Sequence, residues 1–262
     1  VNDALIERAQ RGDADAMHAV LEEVAPAVHR FGLRMCRSAA DADDVLQDTL
    51  LSVTTHLADF EGRSSLTSWV FMLARTACAR RRRGLKNAPT VSDDAVAERA
   101  SEHDSPEQQA SSRELSVALG SALAALPEEY REVVVLRDVE GLSTLEAAAA
   151  VGVSAEAIKS RLHRARSALR DALRPVLEPE AGVPSAQCPA IAEVFSQKLE
   201  GELTKDACAV MEQHLATCPA CASACDALRT ALGACRREAS VSVRPAVQAR
   251  VRAALARFKA HA

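Results

Sequence analysis

The chain has 262 residues, 48% of them hydrophobic and 3% aromatic, and a formal net charge of −4. That length suits two or three small domains, each able to bury a core, and the charge excludes a global basic field, so any affinity for nucleic acid must come from local patches. No apolar run approaches the ~18 residues of a membrane span, and the start, Val1-Asn2-Asp3, has neither the charge nor the apolar core of a signal peptide.

Alanine and leucine dominate and β-branched runs are short, so the expected fold class is all-α. A cytoplasmic location with no membrane partner is expected, and Val1 reads as a non-ATG start codon translated as valine. Residues 4–83 carry helical periodicity. Leu5, Ala9, Ala16, Ala19 and Val20 form one apolar face, and Val45, Leu46, Thr49, Leu50 and Val53 a second. Leu66, Trp69, Val70, Leu73, Ala74 and Ala77 form a third, which ends in Arg80-Arg81-Arg82-Arg83-Gly84. This block, 1–86, is the first expected domain. Residues 87–112, acidic and almost free of large apolar side chains, have the composition of a flexible linker. A second helical domain is expected over 113–177. Pro127 opens one of its helices, followed by Glu128 and Glu129 in the first turn. Gly141-Leu-Ser143 breaks that helix, and Val151-Gly152-Val153 is a tight turn. Ser154 caps a last helix that is expected to end before Pro175. A linker is expected at 178–187, a thiol-rich domain at 188–236, and a basic amphipathic helix within 237–262.

Helix, glycine turn and helix is the order of a helix-turn-helix. The helix after Ser154 carries Lys159, Ser160, Arg161, His163, Arg164 and Arg166 as donors, with Ile158, Leu162, Ala165 and Leu169 at core spacing. A recognition helix needs this division: an apolar stripe to dock it, and donors for phosphates and base edges. The bland alternative is a solvated basic face. Leu126-Pro-Glu-Glu-Tyr-Arg-Glu-Val-Val-Val-Leu-Arg-Asp-Val-Glu-Gly-Leu-Ser143 followed by Ile158-Lys-Ser-Arg-Leu-His-Arg-Ala-Arg166 resembles the C-terminal DNA-binding domain of extracytoplasmic-function (ECF) sigma factors. Asp41-Ala-Asp-Asp-Val-Leu-Gln-Asp-Thr-Leu50 resembles the polymerase-binding helix of that family. Gly62-Arg-Ser-Ser-Leu-Thr-Ser-Trp-Val70 with Ala74-Arg75 resembles its promoter-melting region. The resemblance covers roughly residues 1–175.

It implies promoter-specific transcription initiation without enzymatic turnover. Asp43, Asp44, Leu46, Gln47, Asp48 and Leu50 would dock on the β′ clamp helices of core RNA polymerase. Arg63, Ser64, Ser65, Trp69, Arg75, Arg80 and Arg81 would hold the −10 promoter strand, with Asp59–Ser65 matching the family's base-selecting loop. Single-stranded DNA calls for backbone charge and a pocket for an unstacked base. Trp69, at core spacing, fits the interior better than a stacking platform. Ser154 and the donors of its helix would read the −35 element. Ser154-Ala-Glu-Ala157 lacks the family's common Gly-Thr pair, which leaves the −35 base preference open.

Six cysteines lie between residues 188 and 235. His214 and Cys218 are i and i+4 and share a helix face, Pro219 starts a new turn, and Cys221 follows. Zinc favours four nitrogen and sulfur ligands, and Cys188 is the natural fourth. Cys188, His214, Cys218 and Cys221 together resemble the module of zinc-containing anti-sigma factors. Cys225, i+4 from Cys221, can join the same ion or a second one, and Cys208, Cys225 and Cys235 are taken as further metal-site thiolates that tune a soft-metal or redox response, the alternative being small buried hydrophobes. Cys36 and Cys78 read as core residues, and His18, His29 and His56 have no metal-ligand spacing.

A module of this kind on the sigma chain itself is similar to the Cys-rich-domain (CorE-like) subgroup of ECF sigma factors. The similarity implies a one-component switch for Zn²⁺ or Cd²⁺, with copper as the alternative effector, and no separate anti-sigma factor required. Competing readings are a redox sensor built on the same thiols, a helix-turn-helix repressor and a metalloenzyme; the last is disfavoured because four protein ligands close the site.

Overall fold

A computed structural model describes residues 2–36, 38–84, 106–177, 185, 188–239 and 249, all helix, turn or coil with no strand. Two compact units emerge. The first holds residues 2–84 together with Leu145–Ser154, the second the described residues of Val96–Thr144 and Ala155–Glu238. The acidic stretch 87–105 and the expected terminal helix lie outside the described residues, apart from residue 249. No helix among the described residues is long and apolar enough to cross a membrane.

In the first unit, helices α1 (Asp3–Gln10), α2 (Ala14–Met35), α3 (Ala39–His56) and α4 (Leu66–Gly84) follow in order. Their starts are set by side-chain caps: Asn2 accepts from the Ala4 amide, Asp13 from Asp15 and Ala16, and Ser38 from Asp41. The core joins Val20, Leu21, Val28 and Phe31 of α2, Val45 and Val53 of α3, and Val70, Phe71 and Ala74 of α4. Phe31 and Phe71 meet edge to face at 5.5 Å. Gly32 lets α3 approach closely, because a Cβ built there would lie 3.1 Å from the Ala42 Cα. Gln10 donates to the carbonyls of Leu57 and Phe60 and so ties α1 to the loop before α4.

Also in this unit, Leu145–Ser154 contains nearly all of α7 (Thr144–Val151). That helix ends on Gly152, whose φ of +78° allows the amides of Gly152 and Val153 both to reach the Ala148 carbonyl.

The second unit contains α5 (Pro106–Ala125), α6 (Glu128–Val134), α8 (Ala155–Leu177), α9 (Ile191–Leu199), α10 (Lys205–Thr217) and α11 (Pro219–Ala239). Helix α5 begins inside the stretch expected as linker, with Pro106 at a position where a missing N–H costs nothing. Helix α6 runs into a π-turn at Val135–Val139. Helix α8 passes through Pro175 instead of stopping before it. So near the C-terminus the proline deletes a single backbone bond, and the helix ends two residues later. α8 packs against α5, α6 and α9, burying Ile158, Leu162, Ala165, Leu169 and Leu173. Around α9 to α11 a small core gathers Ile191, Phe195, Met211, Cys221, Cys225, Leu228 and Leu232.

Candidate metal centre and nucleic-acid interface

Cys188, His214, Cys218 and Cys221 converge, with one donor atom from each lying within 4.8 Å of every other. His214 is in the last turn of α10, Cys218 caps that helix, Cys221 lies in the first turn of α11, and Cys188 precedes α9. Pro219 opens α11, so the chain turns sharply between the two thiols.

The donor set fits zinc on two observations. The Sγ atoms of Cys188 and Cys218 are 3.8 Å apart, the edge expected for a tetrahedron with Zn–S bonds of about 2.3 Å. Nε2 of His214 is buried with no hydrogen-bond partner, a cost that a ligand at that atom would remove. The three cysteine sulfurs and the imidazole would hold the ion; its binding would draw the helix ends together.

The thiols differ in proton affinity. A hydrogen bond from the Ser185 hydroxyl leads in bringing Cys188 down to about 7, partly opposed by burial and helped by Cys221 and Cys218. Burial leads in pushing Cys221 up to about 12, reinforced by the same cluster's Cys188 and Cys218. Cys188 therefore gives up its proton before Cys221. Cys225 is raised by burial and belongs to the apolar core. Cys208 and Cys235, like Cys225, fall outside the four-donor group that the described residues form. Cys235 is buried and Cys208 half-buried.

Helix α8 presents its donors unevenly. Ser160 and Arg164 are exposed, as is Ser154 just before it, while Lys159, Arg161 and His163 are half-buried. Arg164 donates to the Tyr130 hydroxyl, and Arg161 pairs with Glu129 at 3.6 Å. Arg166 is a correction: only 2% exposed, it is enclosed rather than presented to DNA in this arrangement. Its guanidinium donates to both oxygens of Asp138, at 3.0 and 2.6 Å, and to Ser196 at 2.9 Å. Burial alone would lower its pKa, but Asp138 and Glu200 outweigh that and raise it.

The first unit holds the other expected site residues. Leu46 and Leu50 are buried at 3% and 2% exposure, so they hold α3 in the core and cannot present themselves to a partner. The face of α3 that reaches solvent carries Asp44, Gln47, Asp48 and Leu51, the last 46% exposed and not anticipated. Asp43 meets His29 at 3.2 Å, and Arg81 pairs with Asp44 at 2.6 Å. Arg63, Arg75 and Arg80 are exposed. The Ser65 hydroxyl accepts from the Ser68 amide and so starts α4, which ties it to a structural bond. Ser64 is half-buried. Trp69 is half-buried too, packing on Phe60 at 5.3 Å, and is neither fully core nor a free platform. Cys78 is buried as expected, with the half-buried Cys36 Sγ 2.8 Å away.

Comparison with known proteins agrees with this division. Residues 20–87 match the family described as Sigma-70 region 2, and residues 116–169 match Sigma-70, region 4. Residues 188–222 match a family described as a zinc-finger. ECF RNA polymerase sigma factor SigD of Mycobacterium tuberculosis is 32% identical over 174 residues, covering 64% of this chain and 82% of SigD. RNA polymerase sigma-H factor of Pseudomonas aeruginosa is 29% identical over 181 residues, covering 66% and 94%. Among solved structures, CnrH in complex with the cytosolic domain of CnrY is similar at 25% identity and a TM-score of 0.50, over 65% of this chain and 95% of that one. That relative carries a separate partner chain, so the expectation that no separate anti-sigma factor is required is withdrawn. With the helical regions in order and a relative above 30% identity matched over most of its length, this chain belongs to the family of ECF RNA polymerase sigma factors.

Proposed function

We propose that this sigma factor directs promoter-specific initiation in the cytoplasm and that a metal ion bound to its own C-terminal module gates that activity, as in the CorE-like subgroup. The observation that carries the reading is the convergence of Cys188, His214, Cys218 and Cys221 on one point. Zinc is the first candidate by donor set; Cd²⁺ and copper are the alternative effectors, since thiolates also suit soft ions. The exposed acidic face of α3, with Asp44, Gln47 and Asp48, would dock on the β′ clamp helices of core polymerase. Arg63, Arg75 and Arg80 would follow the −10 strand, and Lys159, Ser160, Arg161, His163 and Arg164 the −35 duplex.

The test is transcription in vitro with reduced, chelated protein, core polymerase and the DNA upstream of its own gene, adding Zn²⁺, Cd²⁺, Cu²⁺ or Cu⁺ singly. Transcription that changes with one ion, and no longer does so in Cys218→Ala, supports the reading; transcription indifferent to every ion refutes the gating. A second reading, a disulfide switch, is favoured by the 3.8 Å between Cys188 and Cys218 and by the acidic Cys188 thiol. A response to metal under strictly reducing conditions excludes it as the sole trigger.

A further inference from the structure

Helix α9 ends in a turn that points two carboxylates at α8. Gly201, at φ +71°, lets the Glu202 amide bond back to the Gln197 carbonyl and the Gly201 amide to Lys198. Glu200 and Glu202 therefore leave the helix on the side that meets α8.

Glu202 contacts Lys159 Nζ and His163 Nε2, each at 3.1 Å. Glu200 has a fully covered side chain and bridges three donors: Arg137 at 2.7 Å, the Thr144 hydroxyl at 2.8 Å and Arg166 at 2.9 Å. Burial would raise its pKa, but Arg137, Thr144 and the charge of Arg166 more than offset that and hold it below the ordinary value. Glu200 thus stays anionic where it is buried, an anchor for the turn, while Glu202 lies at the solvent edge beside Lys159 and His163, the basic side chains of α8 that it meets. Those side chains, with Arg164, line a cleft of about 650 Å³ whose far wall is Pro189, Ile191 and Glu193 of the thiol module.

We propose that the Glu200-Gly201-Glu202 turn is an autoinhibitory latch: Glu200 anchors it and the Glu202 carboxylate occupies on α8 the position that a −35 phosphate would take, so docking of the thiol module and −35 binding compete. The inference rests on α8 being the −35 reader. A duplex phosphate offers Lys159 the same charged acceptor that Glu202 does, so the two anions compete for its charge and for the space beside it. A carboxylate left beside the duplex would also repel it. Release of the turn therefore frees Lys159 and His163 together, and a ligand favouring the released state shifts the balance only by its preference for that state.

The test measures binding of a −35 duplex by the 262-residue chain, reduced and chelated, with fluorescence anisotropy on the parent, Glu202→Gln and Arg164→Ala. Glu202→Gln keeps the shape and removes the charge at a half-exposed site, so folding is preserved; helical circular dichroism equal to the parent checks this. The latch predicts that Glu202→Gln binds about five-fold tighter, the equivalent of about 1 kcal/mol. Adding Glu200→Gln should tighten binding further. Unchanged or weaker binding in both variants overturns the latch when Arg164→Ala, which leaves the contacts of the turn in place, weakens binding. If Arg164→Ala leaves binding intact, α8 is not the −35 reader and the latch falls with that reading.

Discussion

Replacing Asp138 with alanine should destabilise the second unit by about 3 kcal/mol. Asp138 is 3% exposed and takes two bonds from Arg166, itself 2% exposed. Deleting one partner of a buried pair leaves an uncompensated charge and costs roughly 3–5 kcal/mol. The low end applies here because Glu200 still contacts Arg166 at 2.9 Å and Ser196 still accepts from it. At about 2–4 °C per kcal/mol for a chain of this size, the melting midpoint should fall by roughly 6–12 °C. The assay is thermal unfolding followed by far-ultraviolet circular dichroism in chelating, reducing buffer. Asp171→Ala is the control: its carboxylate is 66% exposed and pairs with the neighbouring Arg170 at 3.3 Å, so its effect should stay within about 0.5 kcal/mol. If both variants melt together, the Asp138–Arg166 pair is not the structural joint that its burial implies.

In the metal-free protein at pH 7, Cys188 should be alkylated by iodoacetamide before Cys221 and Cys225; peptide mass spectrometry reads the order, and equal rates would refute the ranking. Gly32→Leu should cost about 1–3 kcal/mol by overpacking, because the first added carbon already sits 3.1 Å from Ala42; Trp69 fluorescence during urea unfolding reports it, and an unchanged midpoint would contradict the close helix approach. The folded Glu200 has a lowered pKa, so its contribution to stability is present above the ordinary glutamate range near ~4.3 and is lost as pH falls through the folded value. The stability gap between the parent and Glu200→Gln should therefore be open at pH 7 and close in acid, and a gap independent of pH would refute the charge network.

Periodicity and ligand spacing made much of this legible. The stripe Ile158, Leu162, Ala165, Leu169 is buried as its spacing requires, and i, i+4 placement of His214 and Cys218 brings both to the donor cluster. Failures came where two roles share one residue type. Leu46 and Leu50 lie beside the acidic residues of α3 in sequence, but the 100° step between neighbours turns them inward. Arg166 is basic and on α8 among the other donors, yet no local pattern shows that Asp138, on another helix, and Glu200, on another module, enclose it. Pro175 reads as a stop, but in a last turn the backbone has little left to lose. The latch itself had a faint signal, a glycine between two glutamates after an amphipathic helix. That pattern marks a C-terminal cap; what the cap faces depends on tertiary packing.

Metal site and latch flank one helix, α9. Cys188 lies just ahead of α9 and Glu200 just after it, and Ile191 and Phe195 fix the helix face against Met211, Cys221 and Leu228. An ion that draws Cys188 toward Cys218 and His214 sets the position of α9, and with it the turn that holds Lys159 and His163. If zinc changes affinity for the −35 duplex by some factor, the duplex must change affinity for zinc by the same factor, because coupling between two binding sites is reciprocal. The pair of measurements is direct: duplex anisotropy with and without zinc, and competition of the protein with a chromophoric zinc chelator with and without duplex. Matching factors that both fall toward one in Glu202→Gln are the expected result. Factors that match and persist in that variant would place the coupling elsewhere than the latch. Two factors of one would mean that the module binds its ion without reporting it to α8.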